Sequence, residues 1–216
     1  MVPTLLGRKL GMTRITDERG VVHPVTVIKA GPCVVLQVKR AETDGYNALQ
    51  VGFEDVKPHR STKALIGHAG RAGTGPKRYV KEIRLDEAPT HNPGDVLTVE
   101  MFGGDDVKFL DVTGVTKGRG TMGVMRRYGF GGQPASHGTE RKHRSPGSIG
   151  GGASRGHGRG LKKGKRMAGH TGHVRRTLQN QRLMGVDVED HLILVRGGVP
   201  GPEGTMVMVR KSKKRG

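Results

Sequence analysis

Apolar positions along this chain fall in short runs of five to nine residues, rich in Val and Ile and separated by Gly, Pro, Asp and Asn. Runs of that length and side-chain type fit pleated, partly buried strands, and the 3.6-residue period of an amphipathic helix is weak throughout. Strands are expected over 21–29, 33–39, 46–53, 80–85, 96–102, 107–115, 191–196 and 206–210. Eight short strands predict a mostly β chain, as a barrel or a sandwich. Turn residues stand where such a chain must reverse: Asp44-Gly45, Asn92-Pro93-Gly94-Asp95, and Gly197 to Gly201. Residues 57–77 are polar, punctuated by Gly and without a clear period, so 57–95 is expected to be a small inserted subdomain or a long loop.

Charge changes this picture, because it is unevenly spread. The 216 residues carry 38 Lys and Arg against 19 Asp and Glu, a formal charge of +19, which calls for a polyanionic partner. Residues 1–115 and 177–209 are together neutral and hold every expected strand but the end of the last. Residues 116–176 hold 15 cations against the single acid Glu140, and 210–216 add five cations and no acid. The basic segment contains 17 Gly and only two aromatic residues, Tyr128 and Phe130, so it lacks the apolar area that would offset its ordering entropy. Alone, it is expected to be largely disordered. Strands resume after it, which makes 116–176 an insertion within one domain whose two ends must lie near each other. The division expected is a β-barrel core (1–115 and 177–209), an irregular basic extension (116–176) and a basic C-terminal tail (210–216).

The chemistry available is that of a binding protein. Cys33, the one cysteine, sits in an apolar run and reads as packed core; it permits no internal disulfide. Gly118-Arg119-Gly120-Thr121-Met122-Gly123 has dinucleotide-motif spacing, but only residues 124–128 are available as its helix before glycines interrupt, and no second parallel strand follows. The segment 160–166 lacks both the spacing and the final Ser or Thr of a phosphate loop. Five of the ten histidines lie in the basic segment, where one carboxylate and many cations oppose a metal site. No cofactor, metal or small-molecule substrate is expected. Nor is any apolar run long enough for a signal peptide or a membrane span, so the chain is expected to be cytoplasmic. Scarce aromatics leave phosphate and shape contacts as the source of RNA affinity, for which Gly allows close backbone approach and Arg bidentate contact.

Several segments carry a more specific signal: Gly7-Arg8-Lys9-Leu10-Gly11-Met12-Thr13-Arg14, Pro24-Val25-Thr26-Val27-Ile28, Asp111-Val112-Thr113-Gly114 running into Thr116-Lys117-Gly118-Arg119-Gly120, Ser136-His137-Gly138, His143-Arg144-Ser145-Pro146-Gly147-Ser148-Ile149-Gly150, Lys163-Gly164-Lys165-Arg166-Met167-Ala168-Gly169-His170 and Leu192-Ile193-Leu194-Val195-Arg196-Gly197. In this order, over essentially its full length, the chain resembles the large-subunit ribosomal protein L-three family of the bacterial type. The resemblance implies a translation-factor-like β-barrel and a long basic extension that penetrates large-subunit rRNA toward the peptidyl transferase centre. It further implies ribosomal proteins L-fourteen and L-nineteen as neighbours, a part in early assembly of the large subunit, and no catalytic residue. The chain departs from the family pattern at Ala69, Thr121 and Tyr128, where the family usually has Phe, Phe and Trp, and at the extension tip, residues 151–162.

The residues expected to contact RNA are Arg8, Lys9 and Arg14 near the start, then Lys117, Arg119, Arg126, Arg127, His137, Arg141, Lys142, His143 and Arg144, and finally Arg155, Arg159, Lys162, Lys163, Lys165, Arg166, His170, Arg175 and Arg176.

Overall fold

The structure is a computed structural model and describes residues 3–104, 107–150 and 161–215. In chain order its elements are β1 (Thr4–Thr16), β2 (Val22–Ala30), β3 (Cys33–Lys39), α1 (Ala41–Asp44), β4 (Ala48–Asp55), α2 (Lys63–Gly70), β5 (Lys77–Arg84), β6 (Val96–Leu97), β7 (Phe109–Val115), β8 (Thr121–Met122), α3 (Val124–Tyr128), β9 (Gly169–His170), β10 (Arg175–Asp187), β11 (Leu192–Arg196) and β12 (Met206–Lys211). Single 3-10 turns occupy Pro58–Arg60 and Val99–Phe102.

Six strands close into an antiparallel barrel in the order β1-β12-β7-β10-β11-β2. The remaining expected strands do not join it. β3 to β6 form a separate four-stranded sheet in the order β5-β4-β3-β6. The insertion thus begins at Cys33, well before residue 57. Residues 57–77, left open as subdomain or loop, carry a 3-10 turn and α2, capped by Thr62 Oγ1 accepting the Leu65 N–H. Ala69 and Ala72 pack with Leu36 and Val80 on this sheet.

Barrel and inserted sheet share one core. Leu5 and Leu6 project from opposite faces of β1, yet both are fully buried in the cluster that holds Ile28, Val112, Ile193 and Val207 of the barrel and Val35, Leu49 and Val51 of the sheet. The thiol of Cys33 lies in the same cluster, 3.4 Å from the Leu6 carbonyl.

Hydrophobic pattern does not reveal the two longest strands, β1 and β10. Each is broken by a register shift, between Lys9 and Gly11 in β1 and between Leu178 and Gln181 and again between Leu183 and Gly185 in β10. An extra residue in one strand reverses which face every following side chain takes, so alternation fails although pairing continues.

The chain divides into two compact units, Met1–Val115 with Arg175–Gly216, and Thr116–Val174. Arg175 and Arg176 are paired with Val115 and Gly114 on β7, so these two cations belong to a barrel strand. The chain leaves β7 and returns on β10 side by side, as two ends expected to lie together require.

Candidate nucleic-acid interface

Unit Thr116–Val174 starts from a hydrogen-bonded stem. The Thr116 N–H donates to the Val174 carbonyl at 3.0 Å, the His173 N–H to the Thr116 carbonyl at 3.2 Å, the Arg119 N–H to the Thr171 carbonyl at 2.9 Å and the Thr171 N–H to the Gly120 carbonyl at 3.0 Å. β8 and β9 then pair Thr121 with His170 and Met122 with Gly169. The crossing is too close for a side chain: a Cβ on Gly172, at φ +77°, would meet the Lys117 carbonyl oxygen at 2.0 Å.

Above the stem, α3 holds the second part of the interface. Its five residues are those that the Gly118 to Gly123 motif left available, too few for a dinucleotide site. Val124 is 3 % exposed, and Arg127 spans to the other limb, its Nη1 donating to the Met167 carbonyl at 2.7 Å. Guanidinium carbons of Arg127 and Arg166 stand 5.0 Å and 5.6 Å from the Tyr128 ring centroid, cation–π contacts that draw 124–128 and 162–167 together. Further out, the Gln133 N–H donates to the His143 carbonyl at 2.8 Å and His143 Nδ1–H to the Pro134 carbonyl at 2.9 Å. A Cβ on Gly132 would lie 2.4 Å from that His143 carbonyl.

This order differs from the disorder expected of the segment. Its apolar poverty is real, but the described parts are held by backbone hydrogen bonds, glycine crossings and guanidinium contacts, none of which hydrophobic content reports.

The side chains expected to contact RNA separate into groups. Lys117, Arg119, Arg126, His137, Arg141, Lys142, Arg144, Lys162, Lys163, Lys165, Arg166 and His170 are exposed, and Arg127 and His143 half-buried, all in the extension unit. Among the described residues, none of that unit's Lys or Arg pairs with a carboxylate. Such unpaired cations exert their full field on an anionic partner. Arg155 and Arg159 lie outside the described residues. Arg175 and Arg176 are exposed on β10.

Near the start of the chain the set divides. Arg14 is exposed on β1, and Arg8 is exposed with its Nη1 3.6 Å from Glu54, which also faces Arg78 at 3.5 Å. Lys9 differs from its neighbours: it is 7 % exposed, and its Nζ donates to the carbonyls of Val199 at 3.3 Å and Gly201 at 3.1 Å. The ammonium is committed to the 197–201 connection instead of to solvent. A basic tripeptide motif cannot show this, since alternation along β1 sends Arg8 outward and Lys9 inward.

Sequence reasoning also left out cations that the fold gathers elsewhere on the barrel unit: Lys108, Arg182 and the tail from Lys213 to Arg215. They are scattered in sequence and stand in blocks that sum to neutral or in the short tail, so composition by segment could not unite them.

Among the described residues, no three His, Cys, Asp or Glu side chains group as a metal site requires. No described helix is long and apolar enough to cross a membrane.

A family model described as ribosomal protein L3 matches residues 84–191. Proteins named large ribosomal subunit protein uL3 from Corynebacterium jeikeium, Thermobifida fusca and Cutibacterium acnes are 50 %, 50 % and 49 % identical to this chain. The alignments cover 98 %, 98 % and 99 % of this chain and 95 %, 96 % and 94 % of those relatives. With relatives half identical to it along nearly the whole length of both chains, and a family model matched over its second half, this chain belongs to the ribosomal protein L3 family.

Proposed function

We propose that unit Thr116–Val174 is an arm that binds large-subunit rRNA through its phosphates, and that the barrel unit anchors it on the particle. As a member of its family the chain is a structural, non-enzymatic constituent of the large ribosomal subunit, which in bacteria is cytoplasmic. The observation that carries the finer reading is the confinement of charge: residues 116–174 hold 13 Lys and Arg against Glu140 alone, in a segment that starts from a stem fixed by its own backbone hydrogen bonds. Cations held on an ordered arm lose less entropy on binding than the same cations on a free chain.

The remaining features of this reading rest on the family resemblance. The barrel is of the translation-factor type, ribosomal proteins L-fourteen and L-nineteen are its neighbours, the protein joins early in assembly of the subunit, and the arm reaches toward the peptidyl transferase centre. Any chemistry at that centre belongs to RNA, so the role of these side chains is to hold RNA in place.

The test is titration of the full-length protein with large-subunit rRNA over a range of salt, with duplex DNA of equal length as competitor. Binding that falls steeply with salt and prefers the rRNA is expected. Equal affinity for duplex DNA at physiological salt, or failure of the native protein to sediment with large subunits, overturns the reading.

A further inference from the structure

Two arginines stand side by side on α3, and the helix gives them different surroundings. Val124, 3 % exposed, marks the inward face of this short helix, and the residue three places on returns to that face. That residue is Arg127, which is half-buried, whereas Arg126 is exposed. A cation on the inward face of a helix gives up hydration, so it stays there only where other groups replace the water.

The opposite limb of the arm supplies those groups. Arg127 Nη1 donates to the Met167 carbonyl at 2.7 Å, a charge-assisted bond between residues 40 apart in sequence. Two residues further on, Gly169 leaves the space in which the guanidinium lies: a Cβ there would stand 2.6 Å from Nη1, 3.4 Å from Cζ and 3.7 Å from Nη2. The planar group therefore rests against the backbone of Gly169. That backbone is held in turn by the pairing of Gly169 with Met122 between β9 and β8. The Tyr128 ring is the third neighbour, its centroid 5.0 Å from the guanidinium carbon.

Gly169 is not among the glycines with positive φ, so its backbone would accept a side chain. What glycine provides at this position is room for Arg127. A guanidinium lodged among a carbonyl, a glycine backbone and a ring offers less of its N–H fork to a phosphate than exposed cations such as Arg126, Lys165 and Arg166 do.

We propose that Arg127 is a positioning residue for the arm: it ties the limb bearing Arg126 to the limb bearing Lys165 and Arg166, so that these exposed cations meet RNA already spaced, and it makes no phosphate contact of its own. The proposal rests on the reading of the arm as an rRNA binder and assigns a role within it. It also separates Arg127 from the other cations expected to touch RNA. Composition counts all of them alike, whereas the lodging of Arg127 depends on helix spacing and on a glycine far along the chain.

The experiment measures how rRNA affinity varies with salt for the full-length protein and for Arg127→Met, Arg127→Lys, Gly169→Ala, Arg127→Met/Gly169→Ala and Arg126→Met. Gly169→Ala removes no charge and displaces only the far end of a flexible side chain, so it evicts the guanidinium without threatening the fold. Arg127→Met and Gly169→Ala should each lower affinity about three- to tenfold, the cost of ordering one or two further side chains on binding, with the salt slope unchanged. Arg127→Lys should fall as far, since an ammonium does not fill a planar site. The double variant should fall no further than either single one, because both remove the same contact. Arg126→Met should instead lose about 0.7 to 0.9 from the slope, the share of one phosphate. An Arg127→Met slope reduced by that amount, or wild-type affinity in Arg127→Lys, makes Arg127 a phosphate contact and overturns the proposal. Additive losses in the double variant, or wild-type binding by Gly169→Ala, overturn it as well. If neither Arg126→Met nor Lys163→Met/Lys165→Met lowers the slope, the reading of the arm as a phosphate binder fails, and this proposal with it.

Discussion

Asp111 Oδ1 accepts the backbone N–H of Asn180 at 3.0 Å and so pins, from the neighbouring strand, the bulge that interrupts β10. Asn180 stands at φ +56°, a conformation that non-glycine residues rarely hold without such support. The other oxygen of Asp111 accepts from Arg210 at 3.1 Å, and Asn180 Oδ1 accepts from Ser212. Asp111→Ala would strand a buried N–H and remove the partner of Arg210, whose Nε already has none among the described residues. A loss of about 2–3 kcal/mol is expected, less for Asp111→Asn, which keeps one acceptor. The urea midpoint of unfolding measures it; a midpoint within error of wild type would show that the bulge needs no pin.

Lys9 provides a sharper division between holding the fold and holding RNA. With its Nζ on the carbonyls of Val199 and Gly201, Lys9→Met is expected to cost about 1–3 kcal/mol of stability by leaving those acceptors unmatched. The slope of rRNA affinity against salt should not change. Arg8→Met should behave in the reverse way, since its guanidinium is exposed and its ion pair with Glu54 contributes little. Urea melts and salt titrations on the two variants check both halves.

The contrast between Arg8 and Lys9 also shows which parts of this protein were legible in its sequence. Eight strands could be read, the one expected over 96–102 only as far as Val96–Leu97 before a 3-10 turn, because Val and Ile alternate or run together wherever a strand faces the core; the charge split could be read because it survives averaging over a segment. β1 and β10 could not, because the bulges near Lys9 and Asn180 reverse the faces of the side chains that follow. The cations at Lys108, Arg182 and Arg215 could not be united, since only strand register makes them neighbours. The extension's stem was hidden for a different reason: its order comes from main-chain bonds such as that of Arg119 to Thr171.

Asp17 gives the β1–β2 hairpin an acid-sensitive turn. The N–H of Val21, then His23, then the N–H of Arg19 favour its charged form, and together they hold the carboxyl below its ordinary range. A carboxylate depressed in the folded state contributes stability above its unfolded value of about 3.9, and that contribution is lost as pH falls through the lower folded value. Amide resonances of Arg19 and Val21 should therefore stay in place through neutral pH and shift only below about pH 4. In Asp17→Asn that acid-dependent shift should be absent.

Cys33 should be silent until the protein unfolds. Burial pushes its thiol up to about 11, and its Sγ already donates to the Leu6 carbonyl. Little thiolate exists at pH 8, and no reagent reaches it in the shared core. Reaction with an aromatic disulfide reagent is expected to follow global unfolding across a urea series. Rapid labelling in the absence of urea would mean that barrel and inserted sheet part locally.

Gly172 tests whether the arm has order of its own before RNA arrives. At φ +77° and with its backbone against the Lys117 carbonyl, Gly172→Ala forces the two limbs of the stem apart. In the free full-length wild type, the amides of Thr116, Arg119 and Thr171 should exchange slowly, whereas those of the exposed residues 135–137 should exchange fast. The substitution is expected to abolish protection at the stem and leave that of β7 and β12 unchanged, because the barrel pairs these strands without help from the arm. Affinity for rRNA should then fall, as the cations must be ordered during binding, while its salt slope stays near that of wild type because no charge is lost. Wild-type stem amides that exchange as fast as the loop would show instead that the arm takes its shape from RNA alone.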